Sequence, residues 1–92
     1  MIKITRDEFL TLALIPDIAD AKDIEWFKSN NENKLGLIIQ LNSSNRYDYL
    51  VYEKDQAAEY ILYPNEHDFS SIDYDKVYQH LEQELTSPIR NN

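Results

Sequence analysis

The middle of the chain alternates apolar and polar residues with the period of two that a half-buried β-strand requires. Four segments carry this alternation or are rich in strand-forming residues: 24–29, 34–41, 46–54 and 59–63. The gaps between them are short and contain Asn, Ser and Asp, which are common turn residues. Short gaps force neighbouring strands to run antiparallel, so the pattern predicts a four-stranded antiparallel β meander.

Both ends of the chain show the helical period instead. Thr5 and Glu8 form the S/T-x-x-E pattern of a capping box, which predicts that a first helix begins there. A second helix is predicted to begin near Ser71 or Asp73, either of which can cap it. Its apolar residues have helical spacing throughout: Tyr74, Val77, Tyr78, Leu81 and Leu85. A proline follows each apolar stripe and ends each helix.

Together these elements predict an α+β fold with the order helix, four-stranded antiparallel β meander, C-terminal helix (αββββα). We expect both helices to pack on one sheet face, because one face must be covered and two helices are available. The other face would then be partly exposed. Residues 1–88 are predicted to form a single domain and 89–92 a frayed C-terminal tail. Gly36, the only glycine, lies within a predicted strand and indicates a bulge or a close contact there.

The composition is typical of a small folded domain. Hydrophobic residues make up 42% and aromatic residues 12% of the 92 residues, which argues against disorder. No apolar run approaches the length of a membrane span, and the N-terminus lacks the features of a signal peptide. The absence of cysteine excludes disulfides, thiolate metal sites and a cysteine nucleophile. We therefore expect a cytoplasmic protein.

Residues that carry chemistry are few. His67 lies beside Glu66 and Asp68 in a predicted loop, while His80 lies on the second helix. A zinc site needs three or four convergent ligands, mostly His and Cys, and a second convergent His is not apparent. No serine stands in a nucleophile motif, and one glycine cannot build a phosphate-binding loop. We expect no enzyme activity, no cofactor and no metal.

Charge is the main anomaly of the chain. Seventeen Asp and Glu face nine Lys and Arg, which gives a formal net charge of −8. Between Lys54 and Lys76 there is no basic residue, but there are six carboxylates: Asp55, Glu59, Glu66, Asp68, Asp73 and Asp75. Helix-start and turn positions explain some of them, but not Glu59 or Glu66. Uncompensated like charge costs stability, so its retention favours a basic partner.

The candidate partner-binding residues are these six carboxylates and three strand tyrosines that would supply apolar contact: Tyr47, Tyr49 and Tyr63. The acidic field repels nucleic acid and anionic membranes, so we expect direct binding to neither. Trp26 and Phe27 are adjacent in a predicted strand and face opposite sides of the sheet. At least one of these two belongs to the core, and the other is either core or a contact anchor.

The segments "WFKSNNENKLGLIIQLNSSNRYDYLVYEKDQAAEY" and "FSSIDYDKVYQHLEQEL" resemble small single-domain bacterial and phage-associated proteins. In these a tryptophan strand, a Leu-Gly-hydrophobic strand, a Tyr-rich strand and a C-terminal helix recur. The similarity covers residues 24–85 and implies the meander-plus-helix layout, with no catalytic motif. In size and charge the chain also resembles phage-encoded inhibitors of bacterial defence, such as anti-CRISPR proteins, many of which mimic the charge of DNA.

Three functions are therefore open. The leading hypothesis is an inhibitor that occludes a basic, nucleic-acid-binding surface of a partner: a CRISPR effector, a restriction enzyme, or a nuclease toxin neutralised by its immunity protein. The second is an assembly module that forms a homodimer through an open sheet face or an edge strand. The third is an enzyme or metal protein centred on "NEHD" at 65–68.

Overall fold

The computed structural model describes residues 1–13, 21–41, 45–63 and 69–88. These residues form five strands and two helices: β1 (Ile2–Ile4), α1 (Arg6–Ala13), β2 (Ala21–Lys28), β3 (Lys34–Leu41), β4 (Tyr47–Lys54), β5 (Tyr60–Tyr63) and α2 (Tyr74–Thr86). The strands form one antiparallel sheet in chain order. The predicted α+β class and antiparallel meander are confirmed. The predicted tail at 89–92 lies outside the described residues.

The sheet has one strand more than the predicted four. β1 pairs with the end of β2, so that Ile2 lies opposite Lys28 and Ile4 opposite Trp26. Only Thr5 separates β1 from α1. A strand of three residues is too short to show an alternating pattern. It forms because the edge of β2 offers it backbone partners, which the local sequence does not reveal.

The start of α1 follows the predicted capping pattern. The Glu8 N–H donates to Thr5 Oγ1 at 3.1 Å, which satisfies one of the free donors of the first turn. Ile4 and Phe9, on either side of the cap, belong to the same apolar cluster. The Phe9 ring contacts Trp26 at 4.8 Å between centroids, so the cap and its flanking residues attach α1 to β2.

The start of α2 is tied to β4. Asp73 is the N-cap, and its carboxylate accepts the Asp75 N–H at 3.0 Å. Just before it, Tyr47 and Ser71 exchange two backbone hydrogen bonds of 2.7 and 3.1 Å. The Arg46 guanidinium donates to the Ser70 carbonyl at 2.7 Å. These bonds fix the N-terminal end of α2 beside the first residue of β4.

The two helices pack on opposite faces of the sheet, so the expectation that they share one face is wrong. Alternate residues of β2, β3 and β4 enter two separate clusters. The α1-face cluster consists of Ile4, Phe9, Ala13, Trp26, Leu35, Leu37, Ile39 and Tyr52. The α2-face cluster consists of Phe27, Ile38, Tyr49, Val51, Val77, Leu81 and Leu85. β3 explains the arrangement, because it carries apolar residues on both faces and both must be covered. Trp26 and Phe27 are therefore both core residues.

Gly36 allows α2 to approach β3 closely, as its position in the strand predicted. A Cβ atom built on Gly36 would lie 2.7 Å from Cδ1 of Leu81, which is closer than a normal carbon–carbon contact. Leu81 is completely buried, so its side chain has little room to move away. The glycine thus sets the distance between the helix and the sheet.

Gly36→Ala is expected to lower the free energy of unfolding by about 1–3 kcal/mol, because the added methyl group overpacks a buried site. Chemical denaturation of the variant and the wild type measures this change. In a Leu81→Ala background, which removes the clashing atoms, the cost of Gly36→Ala is expected to shrink by about 1 kcal/mol or more. An equal cost in both backgrounds would contradict the steric explanation.

Candidate functional site

The acidic run that stands out in the sequence is divided between two ends of the molecule. Asp55 and Glu59 lie in the β4–β5 hairpin, whereas Asp73 and Asp75 lie at the start of α2, beside the opposite end of β4. The eight residues of β4 separate these ends by about 23 Å at the usual rise of a strand. Glu66 and Asp68 lie outside the described residues. The described part of the run therefore does not form one continuous surface.

Two of these carboxylates have local structural roles. Asp55 accepts the N–H groups of Ala57 and Glu59, both at 2.9 Å, and so closes the β4–β5 turn. Asp73 caps α2. Glu59 and Asp75 are exposed, and neither takes part in an ion pair with another described residue. Of the described carboxylates in the run, these two are the ones available to a partner.

The predicted tyrosines do not form an exposed face. Tyr49 is only 2% exposed and belongs to the α2-face cluster, so it is a core residue beneath α2 and no surface contact. Tyr47 is half-buried and packs edge-to-face on Tyr74, with 5.4 Å between ring centroids. The side chain of Tyr63 lies outside the described part. The face expected to be open is the one that α2 covers.

The structure gathers acidic residues that are far apart in the sequence. Asp7 and Glu8 of α1, together with Glu32 of the β2–β3 turn, line a groove of about 400 Å³. Thr11 and Leu12 form part of its wall. One basic residue, Lys28, lines the groove, and its Nζ lies 3.1 Å from Glu32 Oε2. The sequence carries no signal for this group, because only the packing of α1 on β2 brings it together.

A hydrogen bond joins this groove to β5. The Tyr60 hydroxyl donates to the Glu32 carbonyl at 2.6 Å, which joins the β2–β3 turn to the edge of the sheet. Leu62 pairs with Tyr52 of the α1-face cluster, so it shares this face, and it is 47% exposed. We call this group the hairpin surface: Asp7, Glu8, Glu32, Glu59 and Leu62. It combines exposed carboxylates with an exposed apolar side chain at one end of the molecule.

A second cleft, of about 560 Å³, lies between the β2–β3 turn and the end of α2. Lys34 lines it, yet its side chain is buried, and its Nζ lies 3.0 Å from Glu53 Oε2. Lys34 Nζ also donates to the backbone carbonyls of Glu84 at 2.7 Å and Pro88 at 3.2 Å. An ammonium group has three N–H bonds, and three oxygens surround this one. Lys34 is therefore an anchor for the end of α2 and is not free to act as a nucleophile.

A further polar cluster attaches the first turn of α2 to β2. Lys3 Nζ lies 2.8 Å from Glu25 Oε2, and Tyr74 donates a hydrogen bond to the same carboxylate. Burial acts to raise the pKa of Glu25, but the hydrogen bonds from Lys3 and Tyr74 lower it more, so the pKa lies below its ordinary value. Glu25 therefore adds stability above the ordinary carboxylate pKa, and this is lost as the pH falls through the lowered pKa.

The same contact acts on Tyr74 in the opposite direction. Burial, and then the hydrogen bond to Glu25, raise the pKa of the Tyr74 hydroxyl well above its ordinary value. Its contribution to stability is complete below the ordinary tyrosine pKa and is lost as the pH rises through the raised value. With the pKa of Glu25 lowered and that of Tyr74 raised, the carboxylate is charged and the phenol neutral at neutral pH. The contact between them is therefore structural.

The described residues contain no group of three His, Asp or Glu side chains that could hold a metal ion. His80 is half-buried and stacks on Phe69, with 3.7 Å between ring centroids and an interplanar angle of 13°. The "NEHD" segment at 65–68 lies outside the described part of the chain. Neither described helix is long and apolar enough to cross a membrane. The hairpin surface is therefore the candidate site with the strongest structural basis.

Comparison with protein-family models, with curated proteins and with solved structures found no match for this chain.

Lys34→Met is expected to lower the free energy of unfolding by about 3–5 kcal/mol, because it removes the ammonium group that is paired with the buried Glu53 carboxylate. Chemical denaturation measures the loss. The control is Lys28→Met, which removes the exposed pair with Glu32 and should cost less than about 1 kcal/mol. Adding Glu53→Met to Lys34→Met is expected to recover part of the loss. Equal costs for the two single lysine variants would contradict the anchoring role of Lys34.

Proposed function

We propose that this protein binds a basic partner protein and inhibits it by covering its nucleic-acid-binding surface. The observation that carries the proposal is the hairpin surface, where three carboxylates line one groove and an exposed glutamate and leucine lie in the β4–β5 hairpin bonded to it through Tyr60. Most protein surfaces mix charges of both signs. Here Lys28 is the one lysine among the described residues of the groove, and it is already paired with Glu32.

Electrostatics and apolar contact have separate roles in this mechanism. The carboxylates attract a basic surface over a distance of roughly one Debye length and raise the association rate. The net charge of −8 adds to this field. Exposed apolar residues such as Leu62 then provide the contact area that slows dissociation. The complex is stoichiometric, and no bond is made or broken.

A phage anti-defence protein of the anti-CRISPR type is the specific form of this proposal. A nuclease or a CRISPR effector binds nucleic acid through clustered lysine and arginine, so a carboxylate surface competes for the same residues. An immunity protein for a basic nuclease toxin would act by the same chemistry. The acidic surface repels nucleic acid, so the protein is proposed to act on the effector and not on its substrate.

The edge strand β5 favours a second candidate, an assembly module that forms homodimers. Ile61 is 42% exposed and Leu62 47% exposed, and apolar residues on an edge strand promote pairing between chains. The net charge of −8 on each copy opposes this pairing. Sedimentation at several protein concentrations separates the candidates, because a homodimer would double the mass with no partner present.

The test compares two variants that remove the same amount of charge, one from the hairpin surface and the other from α2. Asp7→Asn with Glu59→Gln alters the hairpin surface. Asp75→Asn with Glu82→Gln is the control, since Asp75, like Asp7, lies in the first turn of a helix. The tagged wild type is used to capture a partner from a bacterial lysate, and its affinity for all three proteins is then measured at about 50 mM and about 500 mM salt.

The wild type is expected to bind a nucleic-acid-binding protein and to lose about 10-fold or more in affinity at the higher salt concentration. The hairpin-surface variant is expected to bind about 10-fold more weakly at low salt, while the control binds nearly as well as the wild type. Duplex DNA is expected to compete with the wild type for the partner. Salt-independent affinity, or equal effects of the two variants, would contradict the proposal.

A further inference from the structure

The two edges of the sheet differ in how they are protected against pairing with another chain. Proteins usually protect an exposed edge by keeping it short or by placing a lysine or proline on it. β1 is short, with three residues, and it carries a lysine, Lys3, at its centre. β5, at the other edge, is Tyr-Ile-Leu-Tyr and contains neither a charged residue nor a proline. β5 is also short, with four residues, but no charge or proline within it opposes the addition of a further strand.

β5 also presents an apolar side chain on each face. Successive side chains in a strand point to opposite faces. Ile61 lies opposite Glu53 and so on the α2 face, while Leu62 lies opposite Tyr52 on the α1 face. Their exposed fractions are 42% and 47%. A strand added along β5 would bring its own side chains beside both residues and would continue both faces of the sheet.

The charges around β5 indicate the composition of the strand that would pair with it. Glu59 comes immediately before β5. Tyr60, the first residue of β5, donates a hydrogen bond from its hydroxyl to the carbonyl of Glu32 in the β2–β3 turn. The nearest lysine, Lys54, has its Nζ 5.7 Å above the Tyr60 ring, so its charge is partly engaged. Beyond it there is no basic residue before Lys76. An extended segment with Lys or Arg at the end that lies beside Tyr60 is complementary to this edge.

A second copy of this chain fits the edge less well. It would bring the same acidic residues and a further net charge of −8. A ladder of four residues also buries much less area than the roughly 1,200 Å² that a stable protein interface needs. A basic partner does not bring this repulsion between like charges. It can also extend its contact into the acidic groove that Glu32 joins to β5.

We propose that β5 is the docking edge for an extended segment of the partner, with apolar residues along it and Lys or Arg at the end that lies beside Tyr60. Backbone hydrogen bonds along β5 supply affinity, the exposed Ile61 and Leu62 select apolar residues, and Glu32 and Glu59 select the flanking cations. This inference rests on the proposed function, because it specifies how a basic partner engages the hairpin surface.

The experiment uses the full chain and a displayed library of random peptides about twelve residues long, enough to pair with a strand and extend beyond both ends. We expect the selected peptides to carry alternating apolar residues with Lys or Arg at one end, and to slow amide hydrogen exchange of residues 60–63 by about 10-fold or more. Leu62→Lys is expected to weaken binding of the selected peptide by about 10-fold or more. Ile72→Lys, which replaces another exposed apolar residue by lysine, should leave binding unchanged.

The remaining outcomes each overturn the proposal in a distinguishable way. Basic peptides that protect residues 7–12 and 28–32 and leave 60–63 unprotected would remove the docking edge but not the proposed function. Peptides without Lys or Arg that protect 60–63 would show that the edge does not select a basic segment, and would count against the proposed function as well. Sedimentation as a dimer that Leu62→Lys dissociates would assign the edge to a second copy. A selection that enriches no peptide would exclude strand docking.

Discussion

The buried pair between Lys34 and Glu53 determines how this small domain is arranged. The two residues lie opposite each other on the central strands β3 and β4, and both are 1% exposed. The last turn of α2 has no basic residue of its own, and Lys34 supplies the cation that its carbonyl end favours. α2 must therefore lie along this face, and α1 covers the other. What remains exposed at the hairpin end is the surface on which the proposed function depends.

The sequence predicted the elements better than their placement. β3 was predicted at its observed bounds, and both helix starts followed from their capping residues. β1 was not predicted, because its three residues form a strand only against β2. The use of both sheet faces was missed, although the mixed apolar pattern of β3, with Ile38 beside Leu37 and Ile39, carried the signal. The burial of Lys34 and Glu53 had no signal, since charged residues are usually exposed.

For the candidate site, too, the sequence indicated the residue types better than their positions in space. The sequence predicted the carboxylates of 55–75 as one set of partner-binding residues and left open whether they share a face. In the structure β4 separates Asp55 and Glu59 from Asp73 and Asp75. The acidic group that does form includes Asp7, Glu8 and Glu32, which belong to different elements. Charge density along a chain predicts the total field, whereas packing decides where that field is strongest. Tyr49 illustrates the corresponding error for aromatic residues, because period and composition do not indicate which face a helix will cover.

The central claim is that cations bind at the hairpin surface in preference to the N-terminal end of α2. Titration of the isotope-labelled protein with tetralysine at low salt, followed by backbone amide chemical shifts, tests it most directly. Shifts are expected to concentrate at residues 7–12, 28–32 and 59–62. Shifts concentrated at 73–82, or spread evenly over all the exposed carboxylates, would contradict it.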